Sequence, residues 1–327
     1  MARVELTSPH AKVVLDPERG GEIQSFTAGD SENLIFYADW QSPLSVDKGP
    51  SYGSTELDWL SRYQGGWQVL FPNAGAEAEV GGVPVAFHGE ASLAALELLH
   101  ADDASCTLKA VGRLPLELVR TVRLADDRPA VMIEETVTNI GAQATPFLWG
   151  HHPTFPAITG SRIDLAGGTV EVEPATPGQL ALGRSEWPTA MGSAGEPVDL
   201  AVLPAEDQVR LLYIHDLPQH WVALRPTEPR PGVALAWDRD AFPHLWIWLQ
   251  NGDPGFPWYG RSRMIGLEPQ RSWPFDGLGG AVQRNQALVL KPGQSLTSWI
   301  TLVAFDNVDQ AVTGVERDGR VYRATAG

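Results

Sequence analysis

Thirty-three glycines and 26 prolines punctuate the 327 residues from end to end rather than in clusters. A chain broken this often cannot build long helices, and the intervals suit short strands joined by turns. Leu116 to Leu124 reads LELVRTVRL, with Leu116, Leu118, Val122 and Leu124 on one face of a strand and Arg120 as the exception on that face. AVMIEETVTN, from Ala130 to Asn139, is a second β-branched run, ended by a turn at Asn139-Ile140-Gly141. HLWIWLQ, from His244, is a short aromatic strand closed by Asn251-Gly252-Asp253-Pro254-Gly255. Residues 288–290 and 296–303 flank Lys291-Pro292-Gly293-Gln294, a spacing that predicts a hairpin. Two stretches resist this reading. In EASLAALELLH (90–100) the propensities and the Leu93/Leu96/Leu99 spacing favour a helical turn. Residues 171–203, rich in Pro, Gly, Ala and Ser, read as a long insertion or loop. No 20–50-residue repeat and no linker divides the chain. At ~100–200 residues per domain the length would allow two units. The uninterrupted strand pattern instead predicts one all-β domain over 1–327, a large antiparallel β-sandwich.

Hydrophobic residues make up 43% and charged residues 20%, so the chain can bury a full core. Lys and Arg number 24 against 40 Asp and Glu, a formal charge of −16. Such a surface repels phosphate backbones and anionic lipid, which argues against nucleic-acid and membrane partners. No apolar run approaches the ~18 residues of a membrane span. The opening MARVELTSPHAKVVLDPERGG lacks the apolar centre of a secretory signal, and the expected location is cytoplasmic. One cysteine, Cys106, excludes an internal disulfide and a cysteine-based zinc cluster.

Four segments concentrate residues capable of chemistry: GGWQVLFPNAG (65–75), FHGE (87–90), WGHHPTF (149–155), and PWYG (257–260) followed by GLEPQ (266–270). Taken singly, each has an ordinary structural explanation. A histidine beside glycine is more often a turn residue than a catalyst. Adjacent His151 and His152 point to opposite faces of a strand and so rarely bind one ion, and no HExxH or similar zinc spacing is present. Glu268, after Ile265 and Leu267, is either a solvated strand end or a partly buried carboxyl with a raised pKa. No phosphate loop, GxSxG elbow or dinucleotide fingerprint occurs, which lowers the case for NTPase, serine hydrolase or nicotinamide chemistry.

Together, in this order and spacing, the segments resemble the aldose 1-epimerase (galactose mutarotase-like) family, nearest its uncharacterised epimerase-like branch. The resemblance starts at Gly20-Gly21-Glu22-Ile23, runs through GWQVLFPNAG, FHGE, ETVTN, HHPTF, PWYG and GLEP, and ends at LKPGQS. It implies the large sandwich known as a supersandwich, with a sugar site in an open cleft on one sheet, and strand for residues 90–100. His152 matches the family's general acid, Glu268 its general base and His88 its second active-site histidine. Asn73 matches the Asn of an Asn-Arg pair whose Arg is Ala74 here, unless Arg62, Arg120 or Arg261 replaces it. The substrate-binding aspartate has no clean counterpart, with Asp216 and His220 in that part of the chain. Gln270, Trp67, Trp246, Trp248 and Trp258 are further candidate sugar contacts, although core packing explains a tryptophan equally well.

Mutarotation needs a base for the C1 hydroxyl and an acid for the ring oxygen, and one His with one carboxylate suffices. No cofactor or metal is therefore expected, and the expected partner is a small-molecule sugar. Hexose-6-phosphate epimerases share the fold and need an arginine cluster. Residues 65–75 carry no Arg, which favours a neutral sugar, although Arg261, Arg263 and Arg271 could still build an anion site. Two alternatives remain at this stage. One is a carbohydrate-binding protein without catalysis, and the other is lyase or isomerase chemistry by the same His/Glu pair.

Overall fold

The computed structural model describes residues 3–40, 51, 53–306 and 308–324. Period-2 alternation does most of the folding. In Leu116–Leu124 the alternate residues from Leu116 are buried, Arg120 included, and those between them are at least partly exposed. This strand lies between Ser105–Val111 and Ala130–Asn139 in an eight-stranded sheet, which continues through Ser295–Phe305, Gly232–Trp237 and Trp221–Arg225. A ten-stranded sheet faces it. Its order begins with Val4–Thr7, Ala11–Asp16 and Glu22–Ala28, and continues through Trp67–Leu70, Gly150–Pro156, Arg263–Gln270, His244–Asn251, Gln208–His215, Thr169–Val172 and Arg184–Glu186. The pairings in both sheets are antiparallel. Val69, Phe155, Ile247 and Leu267 from one sheet pack with Leu118, Val122, Ile133 and Leu302 from the other in one core cluster. Each such side chain contributes about 1.5–3 kcal/mol on burial.

The middle of the ten-stranded sheet departs from simple alternation. In Arg263–Gln270 every residue after the first is buried, so the outer face is covered as well as the inner one. An antiparallel sheet normally leaves one face to water. Here the short helix Thr55–Leu60 and the loops around Phe87 and Phe275 roof that outer face, and the cleft lies beneath them.

Three local expectations change. Leu288–Leu290 pairs with Thr145–Phe147, not with Ser295–Phe305. The turn at 291–294 does form, with Gln294 N–H donating to Lys291 O at 3.0 Å. Asn139 Nδ2 holds Leu290 O at 2.8 Å and diverts the segment into its own two-stranded sheet. Within 90–100 only Glu97–Ala101 is a strand, and Glu90–Ser92 is a 3₁₀ turn. The residues between are held by the N-terminal loop, Gly20 N–H donating to Ala94 O and Leu96 N–H to Pro17 O. Residues 171–203 contain the short strands Arg184–Glu186, Thr189–Met191 and Pro197–Asp199, the first of which forms an edge of the large sheet. Among the described residues no helix is long and apolar enough to cross a membrane.

Candidate active site

Gly150–Pro156 lies between Trp67–Leu70 and Arg263–Gln270, and its pleat sends His151 to the core and His152 to the cleft. Gly150 stands opposite Gln270 and Thr154 opposite Gly266, so the register sets His152 against Glu268. His152 Nε2 lies 3.4 Å from Glu268 Oε1, with the side chains 3% and 2% exposed. A Cβ at position 150 would come within 1.7 Å of Gln270 Oε1, so only glycine admits that side chain. Gln270 Nε2 donates to Glu268 Oε2 at 3.2 Å and to His151 O at 3.4 Å, fixing the carboxyl from behind.

The opposite wall begins with the helix Thr55–Leu60, whose N-cap Ser54 Oγ accepts from Leu57 N–H. It presents Trp59, whose ring stacks on Tyr63 at 4.3 Å and meets His88 edge-on at 4.8 Å. Trp59 Nε1 donates to Gln68 Oε1 at 3.1 Å, and Gln68 Nε2 to buried Glu22 at 3.0 Å. His88 is held at φ +57°, and a Cβ on the following Gly89 would sit 2.2 Å from Phe71 O. Strained backbone of this kind persists where the surroundings over-determine it. His88 Nδ1 accepts from Gly75 N–H at 3.1 Å, which leaves Nε2–H for the cleft.

Between these walls is a cavity of about 240 Å³. Trp59, Phe87, Trp246, Trp248 and Phe275 supply its apolar surface, while His88, His152 and Glu268 converge on it, with Glu56, Glu173 and Thr176 adding polar groups. Among the described residues no Lys or Arg lines it. Burial pushes the Glu268 carboxyl well above the usual carboxylate range and His152 down to about 3. Burial, with His152 nearby as the lesser cause, also holds His88 well below the ordinary imidazole value. At neutral pH the histidines are therefore uncharged, and burial favours the protonated form of Glu268.

Of the residues expected from sequence, His152, Glu268, His88 and Trp246 meet at this cavity, as does Trp248. Gln270 acts one step back, through Glu268. Trp258 is buried behind the wall, packing on Tyr63 and Trp248. Trp67 lies on the other face, fully buried and donating to His151 Nδ1 at 3.3 Å. Asn73 spends its amide on Ala76 O, Ala86 O and Leu278 N–H and ties loops together. Asp216 is on the surface, bonded to His215 and Thr169, and His220 packs on Trp237. No arginine takes over the place of Ala74: Arg120 is in the core, Arg261 lies over Trp40, and Arg62 is not a cavity residue. Arg263 pairs with Asp207 and Arg271 with backbone carbonyls, so they do not form an anion site there. Among the described residues no three His, Cys, Asp or Glu side chains are grouped to hold a metal.

No protein-family model matches the chain, and no curated protein does. Solved structures do. A protein of Synechocystis sp. PCC 6803 is 17% identical at a TM-score of 0.68, covering 93% of this chain and 96% of its own. A galactose mutarotase related enzyme of Lactobacillus acidophilus is 18% identical at 0.60, covering 94% and 99%. A galactose mutarotase-like protein of Lactobacillus casei is 18% identical at 0.58, covering 93% and 100%. The chain has the galactose mutarotase-like fold. The resemblance carried by the motifs thus holds at the level of architecture, over nearly the whole length of each partner.

On this fold the residues that sequence reasoning overlooked are Trp59, Tyr63, Phe87, Phe275, Glu56 and Glu173. Trp59 and Tyr63 had a local signal. Ser54, followed by Glu56 and Asp58, is a helix start, and an aromatic pair four residues apart shares one face. Phe87 adjoins the FHGE histidine. Glu173, which accepts from Tyr213 Oη, and Phe275 come from separate loops and carry no such signal.

Proposed function

We propose that this protein is an aldose 1-epimerase acting on an uncharged sugar. The observation that supports this most is the buried His152–Glu268 pair, 3.4 Å apart at the wall of a largely apolar cavity. That cavity is smaller than the ~300–1,000 Å³ of drug-sized sites, and one sugar ring matches it. One group takes the C1 hydroxyl proton while the other protonates the ring oxygen, and the C1–O5 bond breaks to leave the open-chain aldehyde. Rotation about C1–C2 presents the other carbonyl face. The reverse transfers then close the ring and restore both groups. The resemblance gives His152 the acid role and Glu268 the base role. Transfer across their contact interconverts the two forms of the pair, so either can begin the cycle. His88 Nε2–H steadies developing negative charge on oxygen, and Trp246 with Trp248 receives the apolar face of the ring.

The test is two-dimensional exchange NMR of anomeric protons with glucose, galactose, xylose, arabinose, a sulfonated sugar and glucose 6-phosphate. Faster α/β exchange with a neutral sugar supports the reading. Sugar binding without acceleration replaces it with a non-catalytic binder, and an unsaturated or isomerised product replaces it with another reaction.

The cavity wall carries Glu56 and Glu173 and, among the described residues, no cation, so a phosphorylated sugar meets like charge. Glucose 6-phosphate is expected to exchange at least about tenfold more slowly, by kcat/KM, than glucose. Equal rates would remove the neutral-sugar assignment.

The pH profile follows from the same pair. His152, lowered to about 3, gains a second proton only in strong acid. Glu268, raised, loses its proton only well above the usual carboxylate range. The kcat/KM profile should therefore show no loss on acidification through pH 6.5, the ordinary imidazole value, and its fall with rising pH should follow Glu268 ionising above the usual carboxylate range. A drop on acidification through pH 6.5 would show that His152 titrates as an exposed imidazole.

A further inference from the structure

We propose that Tyr63 is a positioning residue that holds His152 as its Nδ1–H tautomer, so that Nε2 is the atom that exchanges protons. The inference rests on the epimerase reading for its consequence, but the geometry that carries it is independent of any substrate. A carbonyl oxygen only accepts. Thr154 Oγ lies 2.9 Å from Gly66 O and 3.5 Å from Phe36 O, so its single proton goes to the backbone. That leaves Thr154 Oγ as an acceptor, and Tyr63 Oη donates to it at 3.4 Å. Its proton spent, the Tyr63 oxygen can only accept from His152 Nδ1, 3.3 Å away. Tyr63, His152 and Thr154 are all buried. The reversed order would set the Tyr63 and Thr154 oxygens against each other with no proton between them, which buried polar groups rarely tolerate.

The other hydrogen bond of the ring is to the backbone carbonyl of His152 itself, an acceptor that likewise favours an N–H. His88, Trp59 and Trp248 meet the His152 ring edge-on, at centroid distances of 5.5, 5.6 and 5.4 Å. Glu268 faces Nε2, and Glu22 is screened behind Gln68. The chain Gly66 O, Thr154 Oγ, Tyr63 Oη and His152 Nδ1 therefore dictates which nitrogen presents its lone pair, or its exchangeable proton, to Glu268. The opposite tautomer would turn an N–H towards the carboxyl and remove the acceptor the pair needs.

Long-range ¹H–¹⁵N correlation spectra of ¹⁵N-histidine-labelled protein at neutral pH read the tautomer directly, with His152 assigned by its loss in His152→Gln. The wild type should show Nδ1 protonated and Nε2 bare. Thr154→Val frees the Tyr63 proton to turn towards Nδ1, and the tautomer should invert although His152 and Tyr63 are both present. Thr154→Ser should restore the wild-type pattern, which separates this effect from misfolding. Tyr63→Phe should mix the tautomers and lower kcat for glucose or galactose about 10- to 100-fold with KM changed less than about twofold, the usual size of an orienting contact. An Nε2–H pattern in the wild type, or an unchanged pattern in Thr154→Val, overturns the inference. Because the spectra need no turnover, absence of anomer exchange would defeat the epimerase reading while the tautomer stands or falls by itself.

Discussion

Glu268→Gln should reduce anomer exchange by about 10²–10⁴-fold in kcat/KM, the usual contribution of a positioned acid or base. At 1.36 kcal/mol per decade that is roughly 3–5 kcal/mol of transition-state stabilisation. The amide keeps the shape of the carboxyl and can still accept from Gln270 Nε2, but it neither gives up nor takes a proton. Its effect on folding should run the other way. Glu268 has a folded pKa raised by burial, so the folded state loses stability as pH rises from the unfolded carboxylate value through that raised value. The amide has no such loss, and the variant should be at least as stable as wild type at neutral and alkaline pH in urea unfolding. His152→Gln should lose exchange to a similar degree, and the double variant no more than the worse single one, because the two groups act as a unit. Wild-type turnover in either single variant would show that the proton-handling pair lies elsewhere.

The parts of this molecule legible in sequence are those set by local periodicity or by a compact motif. Leu116–Leu124 announced both its buried face and the misfit of Arg120, because alternation fixes the face wherever the strand lies. His151 and His152 had to diverge for the same reason. Which of them reaches the cleft depends on the facing strand, and only the motif resemblance indicated it. Trp67 and Asn73 belong to a recognisable segment, yet the segment's own pleat turns Trp67 into the core, and loop packing consumes the amide of Asn73. Leu288–Leu290 misled because a turn signal states that the chain reverses, not which strand it then joins. The Asn139 side chain, about 150 positions earlier in the chain, makes that choice. Glu173 and Phe275 reach the cavity from loops far apart in sequence, and long-range packing of that kind leaves no local trace.

The core face of the same strand yields the second large effect, on stability. Arg120, fully buried, donates through Nη1 to Glu135 Oε1 at 2.8 Å. Trp149 Nε1 donates to Glu135 Oε2 at 2.8 Å, and His151 Nε2 lies 3.4 Å from the same oxygen. Arg120→Met removes the one cation and leaves a buried carboxyl, and it should cost about 3–5 kcal/mol in urea unfolding. Burial already raises the Glu135 pKa, with Arg120 the main opposing influence, so in the variant it rises further. A carboxyl raised in the folded state favours folding at low pH and loses that advantage as pH climbs through its folded value. The deficit should accordingly be smaller at pH 5 than at pH 8. Adding Glu135→Gln should recover more than half of it, since the amide oxygen still accepts from Trp149 and no unpaired charge remains. Neighbouring residues on one strand thus carry two buried His–carboxylate pairs, His151 with Glu135 and His152 with Glu268, on opposite faces. Changes at Arg120 and Glu135 should lower stability and leave the kcat of the folded protein nearly unchanged, whereas changes at Glu268 should lower kcat and leave stability nearly unchanged. If Glu135→Gln alone abolished exchange while Glu268→Gln spared it, the sugar would have to bind on the face the structure assigns to the core.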